Sequence, residues 1–87
     1  MFTPSSHNFG TCVFDSYHTV TFSYLGEKEL QQHMFVPSCG CGTPVYDKVN
    51  KRLIVTLHMN ARPNKSVYIT CNIPEGQELI QLEAIVN

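Results

Sequence analysis

The sequence predicts an all-β fold, a single antiparallel β-sandwich of about seven short strands. Three observations carry the prediction. Apolar and polar residues alternate over several short stretches, the period of a half-buried strand. Turn residues interrupt those stretches roughly every 8–12 residues. No stretch of about ten residues carries the apolar stripe of a helix.

The elements follow in order. Residues 1–7 are expected to form an N-terminal arm ahead of the first strand. In His18–Tyr24, Val20, Phe22 and Tyr24 share one face, and the intervening threonines suit a pleated surface. Leu25-Gly26-Glu27-Lys28 then makes a turn in which Gly26 supplies permissive backbone. From Glu29 to Val36 the alternation breaks, because Leu30, Gln32, Met34 and Val36 compete with Phe35 for the inside. A bulged strand is the expectation there, ended by Pro37.

Thr43–Asp47 begins with a proline and suits an edge strand, and 47–52 link it to the next. Leu53, Val55, Leu57 and Met59 form the clearest stripe, with Thr56 and His58 opposite. Val67, Ile69 and Cys71 repeat the frame, as do Ile80, Leu82, Ala84 and Val86. Asn60–Asn64 and Asn72–Gly76 are connections. Strands of this number and spacing indicate immunoglobulin-like topology.

Size and charge narrow the function classes. The 87 residues make one domain, 1–87, and a chain this short buries roughly 60–65% of the surface its unfolded form exposes. Net charge is −1, and Lys28, Lys48, Lys51, Arg52, Arg62 and Lys65 are scattered, which argues against a nucleic-acid partner. No stretch approaches the ~20 apolar residues of a membrane-spanning helix, so no membrane insertion is expected. The start, Met1 to Asn8, lacks the basic and apolar regions of an export signal. Charged residues make up only 15% of the chain, so a protein partner is expected to cover part of the surface.

The chemically provocative stretch is Ser38-Cys39-Gly40-Cys41-Gly42, with two of the four cysteines. Up-and-down strands place it at the sandwich end that also carries Asp15, Ser16 and Tyr17 in one loop and Arg62, Pro63 and Lys65 in another. Arg62 and Lys65 are then the nearest cations, and positive charge activates a thiol. Three chemistries are open. Cys39 and Cys41 could hold zinc, completed by His7, His18, His33, His58 or Cys12, although no recognised spacing supports it. They could form a small-ring disulfide. Cys12 and Cys71 could bridge strands. With no oxidising compartment indicated, free thiols packed beneath a glycine-permitted turn are the default expectation, with no cofactor.

No Cys-His-Asn, Ser-His-Asp or paired-carboxylate signature is present, so no enzyme is expected. His18, His33 and His58 read as outward polar residues, and Tyr24 reads as core. Tyr17, Arg62 and Lys65 are the interface candidates.

Phe9-Gly10-Thr11 opening the first strand, Gly26 after the second, Ser38-Cys39-Gly40-Cys41 after the third and Thr70-Cys71-Asn72 late in the sixth form a recognisable series. In that order it resembles a bacterial Ig-like family of unknown function, similar to the Hydin-type Ig-like domains, over about residues 7–86. The chain departs from the family at Tyr24-Leu25, where an asparagine precedes the turn glycine, and at Val49–Arg52, where the family has Pro-Gly. It departs again at Gly42, with the family's threonine one place on at Thr43. Family members usually look exported or lipid-anchored, whereas no export signal is read here, and these departures imply a divergent, stand-alone, phage-type relative. No tryptophan is present, and Tyr68 lies three residues before Cys71 rather than two, so an antibody-type domain is excluded.

The expected function is a non-enzymatic structural or protein-interaction module. Its concrete form is a small accessory subunit of a bacteriophage virion, decorating capsid or tail, bound to other proteins or to copies of itself. The alternatives are a thiol-based metal or redox protein centred on Cys39 and Cys41, and a bacterial envelope protein.

Overall fold

The computed structural model describes residues 1–87 as eight strands: β1 (Phe2–Thr3), β2 (Ser6–Cys12), β3 (Tyr17–Tyr24), β4 (Phe35–Pro37), β5 (Gly42–Asp47), β6 (Arg52–His58), β7 (Asn64–Ile73) and β8 (Gly76–Val86). They form two four-stranded sheets, ordered β1-β3-β6-β5 and β2-β8-β7-β4. All pairs are antiparallel except β2 with β8, which run parallel. The wholly antiparallel expectation is corrected there, because the N-terminal segment pairs with β3 first and then crosses to the other sheet.

Alternation produces the layers. Phe22, Tyr24, Leu53, Val55, Leu57 and Met59 from one sheet face Val67, Ile69, Cys71, Ile80, Leu82 and Val86 from the other. Nineteen buried residues make one continuous core. Period two places every second side chain on the same face, so each clean stripe in the sequence becomes an inner face.

Two segments depart from expectation. Residues 1–7 are no free arm: Phe2 is 2% exposed, packs against Tyr24 and Phe35, and pairs with β3. The bulged strand over Glu29–Val36 is absent. Residues 25–31 are a connection, Gln32–Met34 make one 3-10 turn, and only Phe35–Pro37 is extended. Leu30 and Phe35 take the inside, and Val36 faces out. Leu30 and Phe35 have opposite parity, and the 3-10 turn over Gln32–Met34, rather than a bulge, brings both inside.

That connection closes a sheet edge. The Gln32 amide donates to the Pro44 carbonyl at 2.7 Å and accepts the Tyr46 N–H at 2.9 Å, taking the place of a neighbouring strand along β5. Pro44 has no N–H to leave unpaired. On the opposite sheet the edge strand β4 ends in Pro37, again without a donor, and the Phe35 N–H bonds to Gln32 O. Short strands and prolines of this kind block edge-to-edge aggregation. A register shift between Asn8 and Thr11 interrupts the β2 edge, with Gly10 at φ 75°.

Gly26 serves a different purpose from the one expected. Its φ is not positive, so the turn does not need its backbone freedom. A side-chain carbon there would instead overlap the Tyr24 hydroxyl and the Glu75 carboxylate, which are hydrogen-bonded to each other. Gly40 has open space around it and no positive φ. Gly26→Ala is therefore expected to cost about 1–3 kcal/mol by overpacking a hydrogen-bonded site. Gly40→Ala should stay within about 0.5 kcal/mol of wild type. Urea denaturation of the two variants checks the contrast.

The same hydrogen bond sets an alkaline limit. Burial, then the bond to the Glu75 carboxylate, pushes the Tyr24 phenol up to about 12 from 10.0. A raised native pKa means the folded state holds its proton longer, so stability is full below pH 10 and is lost as pH climbs through about 12. Tyr46 is shifted the same way, chiefly by burial. The hydrogen bond from Tyr24 lowers the Glu75 carboxyl, so its contribution is lost on the acid side instead. Tyr24→Phe should flatten the decline in thermal midpoint across the alkaline window, followed by circular dichroism.

Candidate functional site

The end of the sandwich formed by the β2–β3 loop, the β4–β5 turn and the β6–β7 loop gathers most of the chain's chemistry. Strand ends position it. His58 closes β6, Tyr17 opens β3, and Lys65 lies on β7 opposite Ala84. The His58 N–H donates to the Cys41 carbonyl at 2.9 Å, so the cysteine turn extends the β5–β6 ladder by one bond.

Cys39 and Cys41 are joined by a disulfide, which corrects the expectation of free thiols in this turn. The Cys41 N–H points at Cys39 Sγ at 3.1 Å, and the Gly42 N–H donates to the Cys39 carbonyl at 3.1 Å. Ser38 holds the turn to β7: its N–H donates to the Tyr68 carbonyl at 2.8 Å and its Oγ accepts the Tyr68 N–H at 3.0 Å. Neither Gly40 nor Gly42 has a positive φ, so the turn is shaped by these bonds rather than by glycine's conformational freedom.

Lys65 differs from its sequence reading. It is 8% exposed and belongs to the inward frame of Val67, Ile69 and Cys71, which removes it from the interface candidates. Its ammonium donates to Asn60 Oδ1 and lies 3.8 Å from Cys39 Sγ. Every ion pair within 4.0 Å in the molecule involves other residues, so no carboxylate neutralises it. Burial lowers its pKa. Extending the stripe of β7 back by one period would have found it; the expected strand, beginning at Val67, started too late.

Arg62 is exposed but does not reach the disulfide. Its guanidinium sits 4.0 Å from the Phe14 ring centroid, and its Nε–H donates to the Asn87 carbonyl at 2.8 Å. Tyr17 is 67% exposed and stacks on His58 with ring centroids 4.3 Å apart. His58 Nε2 meets Asp15 Oδ1 at 2.5 Å. This Asp15–His58–Tyr17 cluster was visible in the sequence only as separate loop and strand residues.

The histidines lie apart. His18 has the parity of Val20 and is half-buried on the inner side beside Phe9, correcting its outward reading. His33 sits in the 3-10 turn rather than on a strand. Ser16 Oγ is 2.9 Å from His18 Nε2 and 2.5 Å from the Val13 carbonyl. The carbonyl can only accept, so the hydroxyl proton goes to Val13 and His18 must donate to Ser16. That direction is the reverse of a base activating a nucleophile.

Cys12 and Cys71 are buried and unbridged, so the cross-strand disulfide is not formed. Burial pushes the Cys71 thiol up to about 12, the behaviour of an inert core thiol. No three His, Cys, Asp or Glu side chains come together as metal ligands, and Cys39 and Cys41 are bonded to each other. The residues proposed for zinc therefore do not assemble a tetrahedral set. No helix is long and apolar enough to cross a membrane.

Comparison with protein-family models and with curated protein sequences finds no match.

The disulfide gives a direct thiol count. Unreduced protein in denaturant should titrate two thiols, Cys12 and Cys71, and reduction should expose the other two. In the native state the two free thiols should react only slowly, because both are buried.

Proposed function

We propose that the chain is a non-enzymatic Ig-like protein-interaction module, a small subunit of a larger protein assembly. The observation that carries this reading is the placement of charge. Across the outer face of β3, β6 and β5, two successive rows hold Thr19, Thr56 and Thr43, then Thr21, Ile54 and Val45, with no ionisable group. Tyr17 and His58 bound this field at one end, and Arg52 with Asp47 at the other. Val45 is 51% exposed and Tyr17 67%. A flat, uncharged, partly apolar face rimmed by polar groups suits protein contact, with Tyr17 as its aromatic anchor.

The sheet orders support the Ig-like assignment. Counting β1 and β2 as two halves of one first strand gives seven strands, ordered A-B-E-D in one sheet and A-G-F-C in the other, the constant-type plan with the second half of A added beside G. The first strand changes sheets around Pro4. The particular setting, an accessory subunit of a bacteriophage virion, rests on fold-level analogy.

Purified particles analysed by peptide mass spectrometry should contain the chain in stoichiometric amounts. Ile54→Lys, which puts a charge in the centre of the uncharged face, should abolish incorporation. Leu79→Lys, on the outer face of the other sheet, should leave it intact. Consistent absence of the wild-type chain from any particle or complex would sink the reading.

A further inference from the structure

The geometry points to Cys39 and Cys41 as a dithiol–disulfide exchange site, in which Cys39 is the attacking thiolate, Lys65 its counter-ion and Cys41 the resolving cysteine. This inference rests on observations separate from those for the docking face and concerns the β4–β5 turn of the cluster described above.

A buried ammonium is costly unless a charge or strong acceptors compensate it. Lys65 has one amide oxygen, from Asn60, and the Cys39 sulfur. In the disulfide that sulfur is neutral, so the cation has no counter-ion. Reduction would supply one at the same atom, 3.8 Å from Nζ. The Cys41 N–H, 3.1 Å away, would be a second group favouring the thiolate. An adjacent cation and a hydrogen-bond donor are the features that lower a thiol's pKa and make it nucleophilic near neutrality.

Exposure divides the roles. Cys39 is partly exposed, while Cys41 is 8% exposed and anchored through its carbonyl to His58. An incoming small-molecule or peptide disulfide, RSSR, thus meets Cys39. The Cys39 thiolate attacks one sulfur, the R–S–S–R bond breaks, and RS⁻ leaves with a proton from solvent. The Cys41 thiol then loses its proton and attacks the Cys39 sulfur of the mixed disulfide. The second RS⁻ departs, and the Cys39–Cys41 bond forms. Two protein thiols and one RSSR become one protein disulfide and two RSH, and the reverse direction is reduction by two equivalents of a thiol.

The other charged groups at this end leave the assignment to Lys65. Asp15 from the β2–β3 loop is held by His58 from β6, and Arg62 from the β6–β7 loop is held by Phe14 and Asn87.

The test uses reduced full-length protein and oxidised glutathione, with peptide mapping to separate Cys39 from the buried Cys12 and Cys71. Cys41→Ser should trap a glutathione mixed disulfide on Cys39 about threefold or more faster at pH 7 than a short cysteine peptide does. The pH midpoint of Cys39 reactivity should fall below the ordinary value of about 8.5. Lys65→Met should raise that midpoint by about one pH unit and Lys65→Arg should restore it. A wild-type midpoint at or above the ordinary value overturns the proposal, as does an unchanged midpoint in Lys65→Met. Faster reaction at Cys41 in Cys39→Ser overturns the division of roles. Should Lys65→Met fail to fold, Lys65→Gln in the Cys41→Ser background, which also removes the cation, still decides: an unchanged Cys39 midpoint overturns the proposal.

Discussion

The register of the β7–β8 hairpin is the constraint on which the rest of the molecule depends. Ten consecutive rows pair from Asn64 with Ile85 to Ile73 with Gly76. Because side chains alternate strictly, that single register commits Val67, Ile69, Cys71, Ile80, Leu82 and Val86 to the interior together. A slip of one strand by one residue would turn its whole set to water, bringing Tyr68 inside if β7 slipped or Gln81 and Glu83 if β8 did. The same register extends one period past the apolar residues and carries Lys65 inward opposite Ala84. The unusual feature of the chemical end is thus a consequence of the most ordinary feature of the sheet.

Edges impose the second constraint. Two open four-stranded sheets have four edges, and each unpaired row of N–H and C=O groups invites another chain. Here the segment between β3 and β4, the least regular part of the chain, closes two of them. The Gln32 side chain occupies the β5 edge, and Pro37 and Pro44 remove donors from β4 and β5. This explains why residues 25–34 abandon alternation. They are organised around burying Leu30 and bringing Gln32 to β5, which a strand of either parity would prevent. With the β4 and β5 edges closed, the broad outer faces are the larger surfaces left for another protein to dock on.

Much of this was legible in the sequence. β3, β6, β7 and β8 lie within a few residues of their expected positions, because each is half-buried and alternates cleanly. Three features were not legible, for separable physical reasons. Phe2 reads as part of a terminal arm, since two residues are too short to show a period, yet it is core because it bonds to Glu78 and packs on Tyr24. The parallel pairing of β2 with β8 follows from a sheet crossing at Pro4, which local pattern does not encode. At the chemical end, the neighbourhood of the Cys39–Cys41 turn was readable from topology, but the partners were not. Arg62 and Lys65 look equivalent in sequence, but Arg62 stays in the loop against Phe14 and Asn87, while the parity of β7 carries Lys65 inward to Cys39.

That divergence between two neighbouring cations carries the last step. An exposed arginine costs little to leave beside an aromatic ring. A lysine in an inward frame is different, because a leucine there would pack without the desolvation of an ammonium, and apolar replacement of buried charge is commonly neutral or stabilising. Lys65 nonetheless holds its ammonium 3.8 Å from Cys39 Sγ, the more exposed sulfur of the disulfide, which reduction would turn into a thiolate. Packing alone accounts for the stem of that side chain. The charge at its tip rests on the Asn60 amide oxygen in the disulfide state, and under the exchange-site proposal it would gain a counter-ion when Cys39 is a thiolate.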